Sequence, residues 1–152
     1  MMKIAVLGEI HQDGWRVFEN NKLESFELIN FEESNLKSEL REVDAILLRT
    51  AKLSNDVISY CKKLKIVSRH GVGYDNVNID YLSDNNIALG ITSTSNAVSV
   101  AEHVLTSFLY LSKNIHLSDK LTREGRFNDK SSLPNFFELY QKNIVILGFG
   151  VI

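Results

Sequence analysis

Five short runs of aliphatic residues, at 3–7, 26–31, 44–49, 64–68 and 87–91, recur along the first two thirds of the chain. Each is nearly continuous in its hydrophobicity, which suits strands buried on both faces of a parallel sheet. Between the runs lie polar stretches whose apolar residues have helical spacing. Trp15, Val17 and Phe18 mark the first, Leu36, Leu40 and Val43 the second, and Val57, Ile58 and Cys61 the third. Parallel strands need a crossover between them, and each gap is just long enough for one helix. The pattern is therefore βαβ and the fold class α/β. Ser54 is placed to cap the third helix, and Asn85-Asn86 to end a short fourth. No internal repeat interrupts this alternation.

Composition narrows the classes that remain. The chain has 152 residues, the size of one domain or of an incomplete pair. Seventeen basic against nineteen acidic residues leave a net charge of −2, with no long basic run to hold nucleic acid. Cys61 is the only cysteine, so neither an internal disulfide nor a thiolate zinc cage is expected, and no metal site is proposed. The apolar run near the N-terminus is too short for a signal peptide, and nothing approaches the roughly 18 apolar residues of a membrane span. A soluble, cytoplasmic protein is the expectation.

The pattern changes at residue 92. Thr92-Ser93-Thr94-Ser95-Asn96 reads as a polar turn, and Ser99-Val100-Ala101-Glu102 fits a capping box. The following helix carries Ala101, Val104, Leu105, Phe108, Leu109, Leu111 and Ile115, a stripe wide enough to be buried against more than one surface. Residues 118–143 read as a loop with short helices. The chain then runs Ile144-Val145-Ile146-Leu147-Gly148-Phe149-Gly150. An apolar strand followed by Gly-x-Gly is how a dinucleotide-binding unit opens, the glycines allowing a tight turn and close approach to pyrophosphate. The third glycine would be residue 153, so the motif is expected to be cut short. A plain strand ending in a glycine turn is the alternative.

The most informative segment is Lys65 through Val77, in which Gly71-Val72-Gly73 directly follows a buried strand. Ligands of open α/β sheets bind at the carboxyl ends of the strands, and successive free amides there form a concavity for a carboxylate or phosphate. A simple tight turn explains the same residues equally well.

Ser68-Arg69-His70-Gly71-Val72-Gly73-Tyr74-Asp75-Asn76-Val77 resembles the signature loop of the D-isomer-specific 2-hydroxyacid dehydrogenases. Asn96 through His103 resembles their second signature, and Ile146 through Gly150 the start of their NAD-binding fingerprint. The likeness covers most of residues 44–152 and is closest to phosphoglycerate dehydrogenase-like members. It implies a flavodoxin-like parallel-sheet substrate domain over 1–95. The first helix and first strand of a truncated Rossmann domain would follow over 96–152. It implies that Arg49, Gly71, Val72, Gly73 and Asn96 face the substrate. Val72, Val100, Gly148 and Gly150 would lie against NAD, with NADP equally open and binding by this piece weak or absent. It also implies a homodimer formed through the 99–115 helix and a small 2-hydroxy or 2-keto acid as substrate. Three positions depart from the family pattern. Ile91-Thr92-Ser93 stands for Asn-Thr-Pro, Gln141 for a glycine, and Val151 for an arginine.

Oxidising a 2-hydroxy acid moves a hydride from C2 while a base takes the hydroxyl proton. The family's catalytic Arg, Glu and His belong beyond residue 152, so no catalytic residue is assigned here. His70 reads as a packed strand-end residue, His103 as buried and hydrogen-bonded, and His11 and His116 as surface positions. Arg69 and Asp75 could form an ion pair beside the turn, and Glu102 has a sufficient role in capping. The isolated chain is expected to lack intrinsic activity, and either to self-associate or to leave 118–152 poorly ordered. The alternative function is a non-catalytic carboxylate-binding or dimerisation module. A receiver domain is disfavoured, because Arg49 and Thr92 stand near the positions where it needs aspartate and lysine.

Overall fold

β1 (Lys3–Leu7) has four of its five residues buried, because a strand pairs with it on each side. The computed structural model describes residues 2–148 and 150, which divide into two compact units, Met1–Ser93 and Thr94–Ile152. The first unit is a five-stranded sheet in the order β2-β1-β3-β4-β5, with β2 at Glu24–Leu28, β3 at Ala45–Leu48, β4 at Ile66–Arg69 and β5 at Ala88–Ile91. Every pairing is parallel. This is the flavodoxin-like order, which reverses direction between β1 and β3. The crossovers are α1 (Gln12–Asn20), α2 (Glu33–Glu39), α3 (Asn55–Tyr60) and α4 (Ile79–Asp84).

The expected α/β alternation is present, with one strand displaced. β2 occupies Glu24–Leu28 and not the apolar run 26–31, and Ile29 lies beyond it, 73% exposed. It is an edge strand, so Phe26 and Leu28 turn inward between Ser25 and Glu27, and continuous hydrophobicity is a poor guide there. Ser54 caps α3 as expected, its hydroxyl accepting from the Val57 amide at 3.3 Å. Asn85 is the C-cap of α4. The core joins Leu7, Ile46, Leu48 and Val67 of the sheet to Leu36, Leu40, Val57 and Leu82 from the helical side. Burying each such side chain contributes roughly 1.5–3 kcal/mol relative to exposure.

One carboxylate ties the starts of three strands together. Asp44 accepts from the Lys3 amide and from the Lys65 ammonium, both at 3.0 Å, while the Lys65 amide donates to the Asp44 carbonyl at 2.9 Å. The Lys3 amide, and then Lys65, hold the Asp44 carboxyl below its ordinary pKa.

The second unit is helical. α5 spans Ala97–Ser112, α6 spans Ile115–Arg123, and a short 3-10 helix covers Phe127–Ser132. α5 starts three residues before the position that the capping box required. Asn96 is its N-cap, so Ser99 already lies inside the helix and the Ser99–Glu102 box does not form. Asn114 takes a left-handed conformation between the helices, and its side-chain amide donates to the Pro134 carbonyl at 3.0 Å. The Phe137 amide donates to the carbonyl of the fully buried Ser112 at 3.1 Å. The apolar stripe of α5 is not covered as expected: Leu105 is 57% exposed and Leu111 66%. A sheet would cover such a face, and residues 142–148 form no strand among the described residues. No helix there is long and apolar enough to cross a membrane, and no described group of three or more His, Cys, Asp or Glu could hold a metal ion.

Cys61 sits at the end of α3 with its thiol buried and directed at the Val57 carbonyl, 3.5 Å away. Burial disfavours the thiolate and pushes the pKa from 9.0 up to about 11. Native protein at pH 8 should therefore alkylate with iodoacetamide about a hundredfold more slowly than the urea-unfolded chain. The folded state keeps the thiol proton after the unfolded state has lost it. Stability from this source is complete below pH 9 and falls as pH rises towards 11, by up to about 2 kcal/mol. Urea midpoints at the two ends of that window, compared with those of Cys61→Ala, check it.

Candidate functional site

Parallel strands deliver all their carboxyl ends to one edge, and the 70–76 segment leaves that edge from β4. The His70 amide continues the ladder, donating to the Leu48 carbonyl at 2.8 Å. Gly71 then folds the chain back sharply, its own amide donating to the Arg69 carbonyl at 2.9 Å with φ of 156°. The Gly71 carbonyl accepts from the Thr92 amide at 3.2 Å, which ties the turn to the end of β5. Of the three amides expected to face a ligand, Gly71 is thus already paired within the protein. Those of Val72 and Gly73 donate to no acceptor among the described residues, and Gly73 is exposed. Successive unpaired N–H groups of this kind are what an anion-binding concavity is built from.

The turn is held from beneath by side chains. The Arg69 Nη1 donates to the carbonyls of Leu48 and His70, at 3.2 and 3.0 Å, and its Nε donates to Asn76 Oδ1 at 3.1 Å. Asn76 in turn donates from Nδ2 to the Ala51 carbonyl at 2.7 Å, and its own carbonyl accepts from the Leu53 amide at 3.0 Å. The expected Arg69–Asp75 ion pair does not form, because the guanidinium is taken up by Asn76 and two carbonyls. Sequence reasoning gave Asn76 no role. The only signal was its type, an amide able to donate and accept at once where a loop returns to the sheet.

Arg49 follows β3 at the same edge, exposed, with Nη1 donating to the Glu9 carbonyl at 2.6 Å. That contact bridges the ends of β3 and β1, where the strand order reverses. A concavity of about 490 Å³ lies behind the glycine turn, bordered by Lys52, Ser54, Asp56, Asp75 and Asn78. Of its two carboxylates, Asp56 is ion-paired with Lys37 and Asp75 lies beside Gly73. None of the four histidines is buried, contrary to the expectation for His70 and His103. His11 caps α1, accepting from the Asp13 amide, and His116 stacks on Tyr110.

In the second unit Asn96 is exposed at the start of α5. Val100, Gly148 and Gly150 border a common groove of about 650 Å³ with Val104, Leu105 and Ile146. Gly148 has φ of 97°, which favours glycine, yet a Cβ on either glycine would meet nothing within 4 Å. A pyrophosphate cradle needs a paired strand before the turn and a helix N-terminus after it. Residues 142–148 form no strand, and the residues after Gly150 lie outside the described ones. Phe149 and Val151 of the same motif lie outside the described residues.

Residues 4–147 match the family model for the catalytic domain of D-isomer specific 2-hydroxyacid dehydrogenases. D-3-phosphoglycerate dehydrogenase of Methanocaldococcus jannaschii is 28% identical over 152 residues, covering 99% of this chain and 28% of the relative. The NAD-dependent formate dehydrogenase from Staphylococcus aureus, solved in complex with NAD, is similar with a TM-score of 0.71 and 28% identity, over 86% of this chain and 44% of that one. A glyoxylate/hydroxypyruvate reductase from Sinorhizobium meliloti shares the fold at a TM-score of 0.76 and 21% identity, over 88% of this chain and 42% of that one. The chain therefore spans less than half the length of each of these proteins.

The two glycines of the turn should respond differently to a methyl group. On Gly71 a Cβ would lie 3.2 Å from Arg69 Nη1, and the backbone angle there is unfavourable for side chains. Gly71→Ala should cost about 1–3 kcal/mol in urea unfolding. On Gly73 the nearest atom is Asp75 Oδ2 at 3.5 Å, an ordinary contact, and Gly73→Ala should stay within about 0.5 kcal/mol of the parent.

Proposed function

The chain belongs to the D-isomer specific 2-hydroxyacid dehydrogenase family, and on that premise we propose that its 71–73 turn holds the carboxylate of a small 2-hydroxy or 2-keto acid. The single observation that carries this reading is the pair of unpartnered amides, Val72 and Gly73, at the carboxyl end of β4. A carboxylate accepting two N–H bonds gains charge-assisted hydrogen bonds and a fixed orientation of C2. Gly71 shapes the turn, while Arg49 at the neighbouring strand end offers a cation to the substrate side. In this reading residues 1–95 are the substrate domain, and 96–152 begin the dinucleotide-binding domain. By the family resemblance Asn96 would face the substrate, and Val72 and Val100 would lie against the nicotinamide end of the cofactor.

The reaction of the complete assembly would be NAD-dependent oxidation of a D-2-hydroxy acid at its CH–OH group, phosphoglycerate dehydrogenase-like in class. The share of residues 1–152 in it is binding and orientation. Among the described residues His70, which adjoins the turn in sequence, pairs with no carboxylate, and His11, which pairs with Asp13, caps α1. We therefore assign the proton-transfer groups to chain outside these residues and expect no turnover from this chain alone. A homodimer through the exposed face of α5 belongs to the same proposal.

A second reading is a carboxylate-binding or dimerisation module that performs no chemistry. The exposed apolar side chains of α5, Leu105 at 57% and Leu111 at 66%, favour it.

Both readings require the acid to bind. Titrating the chain with pyruvate should shift the amide resonances of Val72 and Gly73 saturably and leave those of the strand interiors, such as Ala5 and Ile46, in place. Absence of any shift at residues 72 and 73 overturns the proposal. Repeating the titration with NAD, and following nicotinamide reduction with a 2-hydroxy acid, separates the two readings: turnover supports the dehydrogenase, cofactor-indifferent binding the module.

A further inference from the structure

We propose that Arg69 is a positioning and charge-selecting residue for the carboxylate site, held in that role by Asn76. The inference rests on the reading of the 71–73 turn as an acid cradle and adds what sets its geometry and its preference for anions. Arg69 points back under the turn, where Nη1 bonds the carbonyls of Leu48 and His70, the residues that end β3 and directly precede the glycines. These two bonds fix the carbonyl side of the chain just before the turn. With Gly71 already folded onto the Arg69 carbonyl, the amides of Val72 and Gly73 are the two of the three that keep no acceptor among the described residues. A Cβ built on Gly71 would stand 3.2, 3.4 and 3.5 Å from Nη1, Cζ and Nη2, so the guanidinium lies flat against the turn that presents those amides.

Asn76 makes this arrangement rigid. It takes the Nε proton of Arg69 at 3.1 Å and is itself fixed through Nδ2 to the Ala51 carbonyl at 2.7 Å. The loop that leaves β4 and the loop that leaves β3 are thereby joined through one side chain. A fork of this kind needs the planar geometry of arginine, which a lysine ammonium cannot reproduce. The permanent positive charge under the turn also favours a ligand that is negative where it meets the amides, partly against the exposed Asp75 carboxylate beside Gly73. Arg69 would thus influence the acid without touching it.

The test compares pyruvate with pyruvamide, its neutral amide, by following the Val72 and Gly73 amide resonances of the full chain. The variants are Arg69→Met, Arg69→Lys and Asn76→Ala, with unfolding midpoints recorded for each. Arg69→Met should weaken pyruvate binding about tenfold or more and pyruvamide binding much less, so that the preference for the anion collapses. Arg69→Lys should keep that preference at reduced affinity, since the charge stays and the fork is lost. Asn76→Ala should weaken both ligands, because the turn loosens. Equal losses for the two ligands in Arg69→Met would mean that arginine only stabilises the loop, which overturns the proposal. So would wild-type affinity for pyruvate in Arg69→Met or Asn76→Ala. If the parent chain fails to bind pyruvate at all, the acid-cradle reading itself fails, an outcome distinct from normal parent binding with unaffected variants.

Discussion

A parallel ladder places every strand's carboxyl end on the same edge of the sheet, and the binding properties of the first unit follow from that constraint. β1 and β3 each have strands on both sides, so they are buried and rigid. The loops that leave them and β4 must then compete for a small area of surface. That crowding brings Arg49 to Glu9, Arg69 to Leu48 and Asn76 to Ala51, contacts between residues up to 40 positions apart. Antiparallel hairpins would have sent half of these groups to the opposite edge.

At this edge the polar network and the unpaired amides are complementary. Backbone groups near a sheet end are normally consumed by the ladder or by turns. Here the Arg69 carbonyl takes the Gly71 amide, the His70 and Leu48 carbonyls take the guanidinium, and the N–H groups of Val72 and Gly73 remain without an acceptor among the described residues. At the opposite edge Asp44 gathers the starts of β1, β3 and β4, so the same three strands are tied at both ends.

The second unit has no such scaffold among its described residues. The apolar face of α5 remains open, with Leu105 and Leu111 more than half exposed, and Ile146 beside the groove is 77% exposed. A helix is stabilised chiefly by what its apolar stripe packs against, and a strand needs a neighbour to pair with. Neither need is met among the described residues there, and Gly148 and Gly150 border an open apolar groove.

The sequence by itself determined the alternation of five parallel strands with helices, the cap at Ser54, and a glycine turn directly after β4. Hydrophobic runs and turn residues are local signals, and they survive folding largely unchanged. It misplaced β2, since an edge strand shows a mixed pattern, and it misplaced the start of α5, since a capping box is a statistical pattern that competes with other caps. Tertiary structure alone decided which amides stay free, that Arg69 pairs with Asn76 and not with Asp75, and that His70 and His103 stay exposed. Each of those outcomes depends on which distant carbonyl or carboxylate reaches a group first, and packing sets that distance, whatever the spacing along the chain.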